Sequence, residues 1–469
     1  CVLSLIFVNL KVFFIFSNLL FKYICTFKQQ TPCKNIRVGI YSKYIYISNK
    51  QYNSAIMNSN HRLFLLILCF LFHPSTATTK NITISNLKPR TNITGEIMDA
   101  HDGTYNHWEP NGPWYYYAMG YGTCKQNQDM CNNKNHCGYG YSWIGIWKSK
   151  DLSNGSWELI REARDATWPK CTYFRVHTIY NKNTKKYIMW ANLNGCKPGD
   201  DYAIGTSNTP DGPFTFVHSI SAGRQGAQGG DFDIFVDEED VNNSAYLIYT
   251  AVAGGHTMSI ELLTDDYLSS AYNSKTNPSP APNNVTSGVI GNVFVEAPAM
   301  FKRKEMYYAL FGNCCCFCGH GSGIGVYTSL HPLGPWEYHR NVGCESNVTL
   351  STGCGCGMDH SLNENAKETE QKNSEIQHIL ANGGAVGATC NYYGDSLTTA
   401  QQNFVIRIKN NDGSTSYVWT GDRWQSSKDG IKGHDLQYWS VLEFVNVKGI
   451  DLPVQFVWED EIVVHVQTL

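Results

Sequence analysis

A chain of 469 residues with a formal net charge of −3 and no block of Lys or Arg offers no electrostatic footprint for nucleic acid. Charged residues are only 16% while aromatics reach 13%, with 28 Tyr and 12 Trp, a balance that suits sugars better than polyanions. The length accommodates one large domain or two to three ordinary ones.

Residues 1–56 contain no Met and are rich in Phe, Ile, Lys and Asn. They are expected to be upstream sequence outside the native protein. The alternative is a membrane anchor in Cys1–Leu20, apolar but broken by Asn9, Lys11 and Asn18. From Met57 the chain has the anatomy of a secretory signal over residues 57–77: a short polar start through Arg62, an apolar run Leu63–Phe72, and the small-residue region Pro74-Ser75-Thr76-Ala77. A secreted protein beginning near Thr78 is therefore expected, with residues 78–94 as an N-terminal linker and 95–469 as the main domain. Asn-X-Ser/Thr acceptors at Asn81, Asn92, Asn154, Asn242, Asn284 and Asn347 would carry glycans in a eukaryotic secreted chain. Thirteen cysteines follow Ala77, and an oxidising compartment would join most of them in disulfides, leaving at least one thiol without an intramolecular partner. A thiolate metal site at Cys314–Cys318 with Cys354 and Cys356 is the weaker reading, because the spacing fits no standard zinc module.

From there one unit recurs five times: an apolar strand, a polar turn and a Tyr-rich strand. The second strands are Trp114–Gly120, Tyr187–Asn192, Tyr246–Thr250, Tyr307–Gly312 and Tyr417–Thr420; third strands are predicted at Trp143–Trp147, Tyr202–Gly205, Met258–Glu261, Gly323–Tyr327 and Leu436–Trp439. Helical periodicity is almost absent. Five such units predict an all-β chain folded as a five-bladed β-propeller, since radial repetition leaves few open sheet edges. A β-sandwich with accessory modules competes but explains the recurrence less well. The longer interval before the fifth unit, about 344–390, reads as a surface insertion.

Two units begin with a carboxylate: Asp231 in Gly229–Asp237, and Glu296 in Val295–Phe301. Two acids at one end of neighbouring hairpins are the equipment for breaking a glycosidic bond. These stretches, with Glu296-Ala297-Pro298-Ala299-Met300-Phe301, Arg175 in Phe174–Asn181, Met189-Trp190, the closing Gly421–Gln425 and Gln437-Tyr438-Trp439, resemble the family-43 glycoside hydrolases, and within them the exo-β-1,3-galactanase-like branch. The likeness runs from about Gly95 to Val464. It implies a five-bladed propeller that hydrolyses a β-1,3-galactan or arabinogalactan from its non-reducing end with inversion, Glu296 as general acid and Asp231 as the carboxylate that orients it and raises its pKa. Arabinofuranosidase or xylosidase specificity, or glycan binding without cleavage, are the alternatives.

The chain departs from the wider family where the first blade would supply an Asp base. His101 falls at that place, in Ile97–Gly103. The galactanase-like branch carries a Gln in its last blade, and Gln401 matches it, in a role of positioning water. Asp102 and Asp99 remain candidates for a true base. Against these stand blander readings. His101 is a sugar contact, a structural histidine or an ion ligand; Arg175 is a sugar contact or pairs with a carboxylate; Trp108, Trp114 and Trp424 are sugar platforms or, like most aromatics here, packing between blades. No cofactor is required, though a divalent cation in a central channel is compatible with the fold. The expected partner is a polysaccharide, with no nucleic acid, a membrane only if residues 1–20 anchor the chain, and a monomeric state.

Overall fold

The computed structural model describes residues 37–41, 44–48, 78–110, 112–126, 142–194, 200–222, 228–254, 256–272, 287–290, 295–313, 321–343, 397–410 and 413–468. The chain divides into two compact units, Cys1–Ser75 and Thr76–Leu469. In the first, β1 (Arg37–Tyr41) pairs antiparallel with β2 (Tyr44–Ser48). The expected signal segment, the anchor alternative at 1–20, the Cys314–Cys318 cluster and the 344–390 insertion lie outside the described residues. Among the described residues no helix is long and apolar enough to cross a membrane.

The second unit is all-β. It opens with β3 (Thr78–Ser85), which pairs along its whole length with the last strand, β25 (Glu461–Thr468). Residues 78–85 are thus part of the folded sheet, which corrects the expectation of a linker over 78–94. Alternation decides this: Ile82 and Ile84 are buried between exposed neighbours and join the core with Ile462, Val464 and Val466.

Between these ends the repeat predicted from sequence is present as five antiparallel units. The first contains β4 (His101–His107), β5 (Trp114–Gly120), β6 (Trp143–Ser149) and β7 (Glu158–Glu162); the second β8 (Thr172–Asn181), β9 (Lys186–Asn194), β10 (Tyr202–Ser207) and β11 (Thr215–Ile220). The third contains β12 (Gly229–Val236), β13 (Ala245–Ala251), β14 (Thr257–Leu262) and β15 (Ser287–Ile290); the fourth β16 (Val295–Arg303), β17 (Met306–Asn313), β18 (Gly325–Ser329) and β19 (Glu337–Asn341). The fifth has three strands, β20 (Gln401–Lys409), β21 (Thr415–Arg423) and β22 (Leu436–Val441), followed by the hairpin β23 (Phe444–Val447) and β24 (Ile450–Pro453). The Tyr-rich segments are the second strands throughout. One parallel bridge, Gly103 to Val176, joins the first two units into an eight-stranded sheet.

The first strands pack in cyclic order, β4 on β8, β8 on β12, β12 on β16, β16 on β20, and β20 back on β4. Five apolar clusters fill the spaces between successive units, for example Ile188, Trp190, Ile204, Phe232, Leu247 and Tyr249 between the second and third. Aromatic rings supply much of the bulk of these clusters.

Each first strand carries a register shift near its start, between His101 and Thr104, Phe174 and His177, Gly229 and Phe232, Glu296 and Ala299, and Gln402 and Val405. Such bulges re-aim side chains, and they explain positive φ at Asp102, Arg175 and Ala297. Gly103 serves the same place in another way: a Cβ there would lie 1.9 Å from the Tyr117 carbonyl oxygen. The bulged ends of the five first strands therefore converge with unpaired residues available.

Candidate active site

Asp231, Glu296 and Gln401 all stand at the bulged starts of adjacent first strands, β12, β16 and β20. Gln401 Nε2 donates to Asp231 Oδ2 at 3.1 Å, while the Trp424 indole N–H donates to Gln401 Oε1 at 2.6 Å. The indole therefore fixes which end of the amide faces Asp231, because an N–H donor can approach only the oxygen. Burial pushes the Asp231 carboxyl up to about 8 against the pull of the Arg175 guanidinium, and the charges of Glu296 and Asp102 push the same way.

Glu296 has its side chain 13% exposed, and its Oε1 lies 2.8 Å from His256 Nδ1. His256 stands between β13 and β14 at φ +55°, with its carbonyl accepting from the Val295 amide at 2.9 Å, so the loop is tied to the strand that carries the acid. The hydrogen bond to Glu296 raises the His256 pKa, against burial and with help from the Glu296 and Asp231 charges. The interaction that raises Asp231 is mutual, so a charge on either carboxyl disfavours ionisation of the other, while Glu296 also faces the His256 imidazole.

Asp233 and Asp237, close to Asp231 in sequence, are occupied elsewhere. Asp233 pairs with His177 at 2.8 Å and accepts the Met300 amide at 2.6 Å; Asp237 accepts the Tyr307 hydroxyl at 2.5 Å. Both tie strands of neighbouring units together.

Arg175 is not placed as a sugar contact. Its Nε donates to the Phe232 carbonyl at 3.2 Å, Nη1 to Asp102 Oδ1 at 3.3 Å and the Gln402 carbonyl at 3.0 Å, and Nη2 to the carbonyls of Pro298 at 3.1 Å and Asn403 at 3.0 Å. All five guanidinium N–H groups are consumed by β4, β12, β16 and β20. The side chain is fully buried and places a fixed positive charge where the five first strands meet.

Asp102 is likewise removed from the list of bases. Its Oδ2 accepts the Arg175 amide at 3.0 Å, its Oδ1 faces the guanidinium, and it is 5% exposed. Burial raises its pKa, opposed by Arg175 and helped by Asp422. Asp99 accepts the amides of Tyr121 and Gly122, both at 2.7 Å, and the Trp143 indole N–H at 3.1 Å.

His101 is 1% exposed, with Nδ1 3.1 Å from Asp422 Oδ1 and Nε2 3.1 Å from the Gly433 carbonyl. Both partners are acceptors, so the ring donates twice as imidazolium. Burial opposes that charge, but Asp422, then Asp99 and Asp435, raise His101 to about 9. It is a structural histidine, not a sugar contact. Trp424 is 3% exposed, with Lys432 Nζ 3.6 Å from its ring centroid, and serves Gln401 rather than a sugar. Trp114 stacks on His107 at 4.6 Å, and Trp108 donates to the Tyr117 hydroxyl at 3.1 Å. Both sit beside His107 at the far end of β4, roughly 20 Å along the strand from His101.

Sequence reasoning missed His256 and the bridging role of Asp422, which holds His101, the Asp102 amide at 2.7 Å and Asn403 Nδ2 at 2.8 Å. The signal for His256 was Gly254-Gly255-His256 between two strands of the unit that opens with Asp231. Among the described residues no cluster of three or more His, Cys, Asp or Glu is placed to hold a metal.

Residues 124–352 match the family model described as glycosyl hydrolases family 43. A search of the curated proteins gave no match. Among solved structures, a family-43 β-1,3-galactosidase is similar at 21% identity and TM-score 0.54, over 81% of this chain and 63% of that one. The exo-β-1,3-galactanase of Phanerochaete chrysosporium, solved with galactose, is similar at 17% identity and TM-score 0.55, over 82% and 69%. A second family-43 β-1,3-galactosidase, with galactodeoxynojirimycin, gives 19% identity and TM-score 0.53, over 80% and 99%. This chain thus spans 63% of the length of the first of these proteins.

Proposed function

We propose, from the match of residues 124–352 to the family-43 glycosyl hydrolase model, that the chain is a glycosidase cleaving a β-1,3-galactan or arabinogalactan from its non-reducing end on a five-bladed β-propeller. The observation that carries this reading is the convergence of Glu296, Asp231 and Gln401 at one end of three adjacent first strands. Five units in cyclic order with apolar clusters between them support the propeller. The kinship with structures named as β-1,3-galactosidases and an exo-β-1,3-galactanase supports the sugar and linkage.

In this mechanism Glu296 protonates the departing glycosidic oxygen while water attacks the anomeric carbon from the opposite face and releases its proton to solvent, giving inversion. Gln401 holds the water, its amide fixed by Trp424, and Asp231 presents a neutral carboxyl to the sugar beside the acid. The chemistry uses protein groups alone and needs no cofactor. The protein acts as a monomer on a polysaccharide, secreted and glycosylated; disulfides at Cys124 and Cys171 support the oxidising compartment.

One observation favours a second reading, glycan binding without cleavage: Asp102 and Asp99, the expected sources of a base, are consumed by structural contacts. The test is hydrolysis of β-1,3-galactan and a panel of aryl glycosides by the wild type and by Glu296→Gln. A loss of at least about 100-fold in the folded variant is expected. Equal turnover by the two proteins removes Glu296 as the acid; binding without products establishes the second reading; arabinosides or xylosides cleaved in preference revise the sugar.

A further inference from the structure

We propose that His256 is the proton-holding partner of Glu296: the two side chains share one proton, which resides on the imidazole in the open site and moves to Glu296 when a bound sugar excludes water. The inference rests on the glycosidase reading of this site and assigns a role to a residue outside its catalytic group. Nδ1 and Oε1 lie 2.8 Å apart, within range for direct transfer. The two side chains are 25% and 13% exposed, so solvent reaches the pair in the open site and a ligand would cover it. Among the described residues, the acidic groups that face His256 are Glu296 from β16 and Asp231 from β12; the Glu296 carboxylate favours the imidazolium, and Asp231 adds to this only when ionised.

An imidazolium and carboxylate in contact with water form a stable ion pair. Drying the pair penalises both charges and favours imidazole beside carboxylic acid. In that step the Nδ1–H bond breaks and leaves its electron pair on nitrogen, while an O–H bond forms on Glu296. Glu296 then gives the same proton to the departing oxygen. After product release the imidazole regains a proton from solvent. This removes a difficulty in the site, since a glutamate salt-bridged to histidine could not otherwise serve as an acid.

The conservative test is His256→Asn. Asn tolerates the positive φ of residue 256, and its Nδ2 takes the place of Nδ1, so the hydrogen bond to Glu296 persists while the titrating proton is lost. With β-1,3-galactan the kcat should fall roughly 100-fold at pH 7 at nearly constant KM, and the alkaline limb of the pH profile should move about two units towards acid, the interval between ordinary His and Glu values. With a dinitrophenyl β-galactoside, whose leaving group needs no proton, the loss should shrink to about twofold. An unchanged alkaline limb, or equal losses on both substrates, would overturn the proposal. A second measurement is independent of turnover: NMR titration of the His256 ring should show its pKa fall in Glu296→Gln. Unaltered titration refutes the pairing, whereas a wild type that pairs correctly but cleaves no glycoside refutes the glycosidase reading and leaves the shared proton standing.

Discussion

Replacing Arg175 with Met separates a structural hub from a sugar contact. The substitution keeps an unbranched side chain but removes five N–H donors from the meeting point of β4, β12, β16 and β20. Asp102 loses its counter-ion in a buried setting, which costs about 3–5 kcal/mol. The carbonyls of Phe232, Pro298, Gln402 and Asn403 lose partners at about 1 kcal/mol each at the low end. The sum, about 7–9 kcal/mol, rivals the whole stability of an ordinary domain. Urea unfolding followed by Trp fluorescence should therefore show the midpoint collapse or the protein fail to accumulate folded. Arg175→Lys, which keeps the charge but not the planar fork, should recover only part of the loss. A variant with wild-type midpoint and a raised KM would refute the hub and return Arg175 to the sugar.

Three further outcomes are expected. Asp231→Asn should alter the pH dependence of stability: burial holds the native carboxyl up at about 8 against an ordinary 3.8, so this group takes nothing from stability below about pH 4 and takes progressively more as pH rises to about 8. The linkage ceiling is about 6 kcal/mol, cut by solvent at a partly exposed carboxyl, so the Asn variant should gain about 2 kcal/mol at pH 9 and nothing at pH 4; a parallel offset at all pH values contradicts this. Trp424→Phe keeps the ring over which Lys432 sits but frees the Gln401 amide, and kcat should fall about tenfold with little change in urea midpoint. Trp114→Ala should cost about 3–5 kcal/mol of stability while KM stays constant in the folded fraction; a KM effect would put the sugar at the other end of β4.

Much of the fold was legible because sheets advertise themselves locally. The Tyr-rich second strands and their third-strand partners stand where alternation and turn residues put them, since a strand buried on both faces must be apolar along its whole length. The segment 78–94 was misread because Thr78–Ser85 acquires its partner from residues some 380 positions later, a pairing no local pattern encodes. Asp231 and Glu296 could be found because each opens a recognisable hairpin. His256 was marked only by its flanking glycines, because a histidine in a glycine-rich loop has no periodicity.

The polar residues divide along the same line. His101, Asp102, Arg175 and Trp424 have the chemistry of sugar contacts, and sequence alone cannot say whether their hydrogen-bonding capacity is already spent. That is a property of the cyclic packing, which brings the carbonyls of four strands onto one guanidinium and Asp422 onto His101. The strand repeat, the apolar faces and the two acids are local properties of the chain, because burial and turn chemistry act over a few neighbouring residues. Which polar groups are open to a ligand follows from the packing of the five units, because satisfaction of a buried donor or acceptor depends on groups delivered from distant parts of the chain.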